Sequence, residues 1–486
     1  MLLTRGTGRA FEVYLVLRSR TMRFMGGFWA FPGGVAADSD GAAAGDEDAT
    51  LRACALRELF EETLVLAPPL AMKGDRAAAR GALLARDPAA VAGFRAALAA
   101  AGGAAAASLV PFACVTTPPF APIRYATVFF HLELPPNESP EPDRREVDDG
   151  RFLPPGEWLA SWRRGELLIA PPVLFILERL SRAADLASGL ETVRADAAEL
   201  EAGKLHRVRF TPGITVFPLA TRTLPPATTT NAFLIGEERF FVVDPAPADA
   251  AETGRFLEAI GERVARGDEP KGILLTHHHP DHVGALAAVR ERLRVPVMAH
   301  PLTLARTPGV GADTRPLADG DGLDLGRAPD GRAPWTLRVM ATPGHDRGHL
   351  SFVEDRYRTA IAGDLVSTVS TIVIDPPEGH LATYLASLEK LLAAEPGLVF
   401  PAHGLPRRDG AELLREYLAH RRDREAALVA ALRAGHSSPE ALLPLVYPEL
   451  DPAVYPLASR SLRAGLEKLA EDGVARSRDG IWTLSA

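Results

Sequence analysis

Thr276-His277-His278-His279-Pro280-Asp281-His282-Val283-Gly284 places four of the chain's 13 histidines and one aspartate on a single short stretch. It follows the apolar run Ile273-Leu274-Leu275, which reads as the end of a buried strand. Imidazole and carboxylate are the ligands that borderline divalent cations such as zinc accept. An H-x-H-x-D-H pattern lets one tight loop aim side chains at two neighbouring positions. His277 and His279 would serve one metal, and Asp281 and His282 a second. The bland alternative is a solvated polar loop or an adventitious histidine tract. Against it, further residues of ligand type follow in order along the chain.

These motifs resemble the metallo-beta-lactamase superfamily of binuclear hydrolases, over most of residues 206–410. In that resemblance Asp244, in Phe241-Val242-Val243-Asp244-Pro245, is the family's structural strand-end aspartate. His345, in Thr342-Pro343-Gly344-His345, is the third ligand of the first metal. Asp364, in Ala362-Gly363-Asp364, bridges both metals, and His403, in Phe400-Pro401-Ala402-His403-Gly404, is the last ligand of the second. The resemblance implies an αββα sandwich with two divalent metals, zinc first and iron or manganese as alternatives. It also implies water activated for attack at neutral pH, with Asp281 both ligating and orienting the nucleophile. His278, His300, His349 and His380 fall outside the ligand pattern, and support, packing or substrate contact is expected of them.

Length and composition agree with a multidomain α/β protein. At 486 residues the chain is too long for one ordinary core. Its 54 Lys and Arg against 62 Asp and Glu give a formal charge of −8, so no global basic field draws it to nucleic acid or anionic lipid. Cys54 and Cys114 are too few for a disulfide scaffold and fit a reducing cytoplasm. No apolar run reaches the length of a membrane span. The expected location is the cytoplasm, and the sequence does not set the oligomeric state.

The N-terminal part carries a second constellation. Residues 9–17 alternate as a strand, and Phe28-Trp29-Ala30-Phe31-Pro32-Gly33-Gly34 ends in a turn. Residues 38–48 are acidic and small, as in a surface loop. From Thr50 a helical period begins, and Glu58, Glu61 and Glu62 stand at i, i+3 and i+4. Three carboxylates on one helical face repel one another unless a cation is present, although solvated acidic faces are common.

The Pro-Gly-Gly turn and Arg57-Glu58-Leu59-Phe60-Glu61-Glu62 resemble the Nudix hydrolase box, G-x5-E-x7-R-E-U-x-E-E-x-G-U. That resemblance covers roughly residues 5–185, takes in Arg124–Phe130 and Phe152–Leu159, and implies an α/β/α sandwich. In it Glu58, Glu61 and Glu62 bind magnesium or manganese, Glu58 and Glu61 act in catalysis, and Arg57 orients a carboxylate, for attack of water on a diphosphate. The box's closing Gly is Leu64 here. Gly41 and Glu47 have the G-x5-E spacing but lie apart from Arg57. Two readings stay open: a working diphosphatase, or a nucleotide-binding module that regulates the rest of the chain.

Residues 75–107 are Ala-rich, as inserted helices or low-complexity surface. Residues 134–149 read as a loop, and 173–202 as helical. After 411, an amphipathic run to 434, a helix start at Ser438-Pro439-Glu440, a helix from Leu457 to Leu469 and a hairpin around Asp479-Gly480 form a winged-helix pattern. It resembles the domain attached to some metallo-beta-lactamase hydrolases. The expected boundaries are 1–190, a linker at 191–205, 206–410 and 411–486.

A small-molecule substrate, CoA- or nucleotide-linked, is expected. The candidate reactions are hydrolysis of a thioester, ester or lactone, or of a phosphodiester in RNA or DNA with the winged helix as a nucleic-acid contact. An acyl-CoA-like molecule, which holds both a thioester and a diphosphate, would engage both halves of the chain. The charge balance of the C-terminal unit favours a structural or gating role for it over nucleic-acid binding.

Overall fold

A computed structural model describes residues 1–22, 25–41, 46–72, 74–121 and 123–485. The chain forms two compact units. The first comprises Met1–Thr117, Arg124–Lys204 and Val208–Pro212, and the second includes Gly213–Ala486. Among the described residues no helix is long and apolar enough to cross a membrane.

The first unit is built on a mixed sheet of β1 (Leu2–Arg5), β2 (Glu12–Arg18), β3 (Trp29–Ala30), β4 (Val110–Thr116), β5 (Ala126–Glu133) and β6 (Val147–Leu153). The order is β3-β2-β1-β5-β4, with β6 also on β2, and β1 runs parallel to β5. Helix α1 (Glu47–Thr63) starts at Asp46, whose side chain accepts from Ala49 N. It buries Leu56, Leu59 and Phe60 in one cluster with Leu3, Tyr14 and Val16 of the sheet. It stops at Leu64, which takes φ 64, the left-handed conformation that glycine adopts most easily. The Ala-rich segment folds as α2 (Arg76–Leu84), α3 (Pro88–Ala100) and α4 (Ala104–Ala107). Asp75 and Asp87 cap the first two, and Leu83 and Phe94 join the same core. It is therefore helical structure rather than low-complexity surface. Helices α5 (Pro155–Arg163), α6 (Pro171–Leu180) and α7 (Leu186–Glu201) complete the unit. The boundary expected at 190/191 falls inside α7, which packs along β4. Of the acidic 38–48 loop, residues 42–45 lie outside the described set.

The second unit opens with β7 (Ile214–Ala220), β8 (Thr229–Gly236), β9 (Arg239–Val243), α8 (Ala250–Ala265), β10 (Glu269–Leu274), α9 (Pro280–Val283), α10 (Leu286–Leu293), β11 (Val297–Ala299), α11 (Pro301–Arg306) and β12 (Thr314–Pro316). Its strands form one sheet in the order β12-β11-β10-β9-β8-β7. A second sheet runs β13 to β18 in sequence order: β13 (Gly322–Gly326), β14 (Trp335–Ala341), β15 (Leu350–Glu354), β16 (Thr359–Gly363), β17 (Leu398–Pro401) and β18 (Arg407–Arg408). Helix α12 (Leu381–Ala393) lies between β16 and β17 in the chain.

The two sheets face each other, and helices cover their outer sides. Phe256 and Ile260 of α8 cluster with Phe217 and Val242, whereas Tyr384 and Leu388 of α12 cluster with Ala360 and Val399. Every residue of β8 is buried, as expected of a strand covered on both faces. Asn231 on β8 staples the sheets together. Its backbone N–H donates to Ala402 O at 2.8 Å, and its Nδ2 donates to Pro401 O and Gly404 O, both at 2.9 Å. Phe233 and Phe400 add an edge-to-face pair with centroids 5.9 Å apart.

The chain ends with α13 (Gly410–Arg433), α14 (Pro439–Val446), α15 (Tyr455–Glu471) and the hairpin β19 (Ala475–Arg478) with β20 (Ile481–Leu484). Leu428, Leu442, Leu462 and Leu466 form its core. Asp479 and Gly480 both have positive φ, 52° and 78°, as a two-residue turn with right-handed strand twist requires. This is the three-helix and hairpin pattern expected of a winged helix.

Asn231→Ala removes both side-chain donors and leaves two buried carbonyls short of partners. The second unit is expected to lose roughly 2–3 kcal/mol, read as a lower urea midpoint at unchanged slope.

Candidate functional site

Each expected ligand of the second unit follows the C-terminal end of a strand. His277 and His279 lie between β10 and α9; His345 lies between β14 and β15. Asp364 directly follows β16, and His403 closely follows β17. Pro280 occupies the first turn of α9, so the chain changes direction there. That turn separates the His277 and His279 pair from Asp281 and His282.

The structure brings all seven side chains into two groups that share Asp364. In the first, His277 Nε2 and His345 Nε2 lie 2.9 and 3.1 Å from His279 Nδ1. Asp364 Oδ2 stands 3.9 Å from His277 Nε2 and 3.4 Å from His345 Nε2. In the second, Asp364 Oδ1 is 3.6 Å from His282 Nε2 and 3.3 Å from His403 Nε2. Asp281 Oδ2 is 3.6 Å from that same His403 nitrogen. One carboxylate thus offers one oxygen to each group.

The far side of four of the five rings is held. His345 Nδ1 donates to Val373 O at 2.9 Å, and His403 Nδ1 to Thr229 O at 3.0 Å. His282 Nδ1 donates to Asp244 Oδ2 at 2.9 Å. The Thr276 hydroxyl donates to that oxygen at 2.7 Å and takes the proton of His277 Nδ1 at 3.0 Å. These bonds place a proton on each Nδ1 and turn four Nε2 atoms inward, the arrangement that metal-ligating imidazoles show. His282 Nε2 and Asp364 Oδ1 are buried without a hydrogen-bond partner. Orphaned atoms of this kind are costly unless something fills the space between them. The nitrogen and carboxylate donors fit a pair of divalent cations.

Protonation follows the same geometry. Burial and the neighbouring rings hold His277 well below the usual imidazole value, and burial with His345 holds His279 down at about 3. Burial opposes charge on His282 as well, but Asp364, Asp281 and Asp244 outweigh it and keep that ring well above its usual value. For Asp364 burial is outweighed by His403 and His282, and its carboxyl sits well below the usual range.

The remaining histidines have other tasks. His278 Nδ1 lies 2.7 Å from Asp346 Oδ2, His300 accepts from Leu302 N at the start of α11, and His380 accepts from Thr383 N at the start of α12. His349 is buried and accepts from Asp364 N at 3.1 Å, so it holds the backbone of the shared carboxylate.

In the first unit the carboxylates of α1 divide. Glu58, Glu62 and Glu146 present oxygens within 4.8 Å of one another. Glu61 is turned to Arg57, whose Nη1 donates to it at 2.6 Å. Arg57 is buried and also pairs with Asp40, through Nε at 2.7 Å and Nη2 at 2.8 Å. Gly33 N donates to Glu62 at 2.9 Å, and a Cβ on Gly34 would stand 2.4 Å from the Glu58 carboxyl, so the turn lies directly against that carboxylate. Burial and Glu58 push Glu62 up to about 8, and burial pushes Glu61 up to about 7.

Two residues here escaped the sequence reading. Asp40 stands six positions after Gly34, the same spacing that Gly41 and Glu47 have. Glu47 is exposed at the start of α1. Glu146 sits in the acidic 134–149 stretch, where no local pattern singles it out.

His349 makes a pH prediction. Its Nε2 accepts a hydrogen bond, which requires the neutral ring, and burial with His345 and the nearby rings holds it at about 3. Between about 6.5 and 3 the unfolded chain binds a proton here that the native state refuses, so stability falls as pH falls. In the metal-free protein this one group is expected to cost roughly 1 kcal/mol between pH 7.5 and 5.5. Urea midpoints at the two pH values check it, against a His349→Asn variant in which that part of the slope disappears.

The profile of the metallo-beta-lactamase superfamily matches residues 225–403, and that of the beta-lactamase associated winged helix domain matches residues 438–482. The chain is 33% identical over 189 residues to the probable metallo-hydrolase YqgX of Bacillus subtilis, covering 35% of this chain and 83% of that protein. It is 26% identical over 254 residues to the beta-lactamase-like protein 2 homolog of Caenorhabditis elegans, covering 51% of this chain and 81% of that one. It is 28% identical over 262 residues to the atrochrysone carboxyl ACP thioesterase nsrC of Aspergillus novofumigatus, covering 50% and 74%. The chain belongs to the metallo-beta-lactamase superfamily of hydrolases and carries that superfamily's associated winged helix near its C-terminus.

Proposed function

We propose that the centre around Asp364 holds two divalent cations and hydrolyses an acyl bond, a thioester before an ester or lactone. The observation that carries this reading is the sharing of Asp364: Oδ2 faces His277 and His345, and Oδ1 faces His282 and His403. His277, His279 and His345 would hold one cation, and Asp281, His282 and His403 the other. The imidazole-rich set suits zinc, and iron or manganese accept the same donors. Such cations supply Lewis acidity and lower the pKa of water into the neutral range.

The chain's own residues then orient the reaction. Asp281 Oδ2 is placed by His403 and by Thr230 Oγ1, 3.5 Å away, and would align the attacking water. Asp244, Thr276 and the Val373 and Thr229 carbonyls keep the rings from turning. The thioester preference rests on the relative named as an ACP thioesterase. Phosphodiester hydrolysis of RNA or DNA is the competing reading, and the −8 net charge speaks against it.

Asp364→Ala is expected to lower the bound metal from two equivalents to one or fewer. Turnover of an acyl-thioester should drop by more than about 100-fold, beyond the usual cost of losing a supporting partner. Metal analysis and mass spectrometry against pooled acyl-CoAs, lactones and short RNAs decide it. Undiminished turnover in the variant, or cleavage of RNA alone, would sink the proposal.

A second activity is supported by the first unit. Glu58, Glu62 and Glu146 converge beneath the Gly33-Gly34 turn, beside the buried Arg57–Asp40 pair. Hard cations such as magnesium or manganese prefer such carboxylate oxygens. This arrangement supports the Nudix reading, a diphosphate hydrolase acting on a nucleotide- or CoA-linked substrate. Glu62→Gln should abolish a magnesium-dependent diphosphatase activity while leaving thioester turnover unchanged. Nucleotide binding with no diphosphate cleavage in the wild type would reduce this unit to a binding module.

A further inference from the structure

The geometry points to α13 and α15 as positioning elements of the first metal group. They act through the loop of residues 364–380 that joins Asp364 to α12. This inference rests on the metal-centre reading above. The loop carries the Val373 carbonyl, which takes the Nδ1 proton of His345 at 2.9 Å. That bond settles which nitrogen of His345 is free for a cation.

The C-terminal helices hold the peptide groups on both sides of Val373. Ile374 N donates to Ser461 Oγ of α15 at 3.2 Å. The Ile372 carbonyl accepts from the buried Arg421 of α13. Two residues further, Asp375 pairs with Arg460 of α15 at 3.0 Å, and the Pro376 carbonyl accepts from Arg463. The end of the loop is tied back to the His345 loop, because His380 N donates to Gly344 O at 2.8 Å. The His380 ring in turn meets Glu471 of α15 at 3.0 Å.

The Val373 carbonyl shares a planar peptide with Ile374 N, so with that N–H and the preceding Ile372 carbonyl both held it cannot rotate away from the imidazole. Val373 has no side-chain handle of its own for this task, so its direction is set by Ser461 and Arg421. In a nucleic-acid-binding winged helix the helix before the wing presents basic side chains to a groove. Here Arg460 and Arg463 of that helix engage the metal-bearing loop instead. The winged helix is thereby part of the hydrolytic centre, and Ser461, Arg460 and Arg421 are positioning residues for His345.

The test uses the full chain, stripped with a chelator and titrated with zinc against a chromophoric competitor. Wild type, Ser461→Ala, Ser461→Thr, Arg460→Ala and the Ser461→Ala/Arg460→Ala double variant are compared. Wild type should take two equivalents. The double variant should hold one of them about 10- to 100-fold more weakly and the other unchanged, and Ser461→Thr should restore the wild-type pattern. Histidine 15N resonances of the metal-free proteins give a second readout. His345 should be a single Nδ1-protonated tautomer in wild type and a tautomer mixture in the double variant.

Thermal melts check folding. Arg460→Ala removes only a partly exposed pair and keeps the test open should the double variant not fold. Two equivalents bound with wild-type affinity and an unchanged tautomer would overturn the brace, as would equal weakening of both equivalents. A wild type that takes up no metal would instead sink the metal-centre reading, and the tautomer readout would still decide the brace.

Discussion

A buried carboxylate shared between two groups of imidazole nitrogens is the constraint on which the second unit depends. Asp364 stands within 4 Å of four ring nitrogens, and its Oδ1 has no hydrogen-bond partner. That arrangement is expensive, because burial removes the water that would otherwise satisfy these polar atoms. It persists only where the surrounding chain determines it from several sides. His349 holds the Asp364 backbone, and separate anchors fix four of the five rings from behind. The scaffold sets the direction of these side chains through its own hydrogen bonds.

The first unit treats buried carboxylates differently. Arg57 lies inside the protein with Asp40, Glu58 and Glu61 on its guanidinium. The protein supplies that countercharge itself, and the planar fork answers several oxygens at once. Glu62 accepts a backbone N–H from Gly33, and burial together with the neighbouring Glu58 raises its pKa. Glu58 belongs to both settings, since it accepts from Arg57 at 2.8 Å and also faces Glu62 and Glu146, whereas the second unit's Asp364 has only imidazoles around it.

Two residue types connect the site to the fold around it. Asn231 ties β8 to the segment after β17, and so links the sheet bearing the His277 loop to the strand that presents His403. Gly344 has φ +134, and a Cβ there would stand 2.3 Å from the Tyr384 backbone. The loop carrying His345 can therefore lie directly against α12. Neither residue is a ligand. Each sets how closely two ligand-bearing segments approach.

The motifs around His277, His345, Asp364 and His403 were legible because each is local: ligand-type side chains a few positions apart, directly after a strand. The winged helix was legible for a similar reason, since helical period and an Asp-Gly turn need no knowledge of the rest of the chain. The carboxylate cluster around Glu58 was legible in part. Helical spacing places Glu58, Glu61 and Glu62 on one side of α1, but that Arg57 reaches both Glu58 and Glu61 is something spacing alone cannot report. Asp40 was within reach of the sequence, six residues after Gly34. Glu146 was not, because it reaches Glu58 and Glu62 from about 90 residues away without a motif of its own. The carbonyls of Val373 and Thr229 lie still further from sequence. They are backbone atoms that any residue would supply, and they meet His345 and His403 across 28 and 174 residues. Residue chemistry and short-range spacing therefore determined which side chains serve the centre. Only the tertiary structure decided what orients them, because orientation comes from main-chain groups whose direction depends on packing and not on identity.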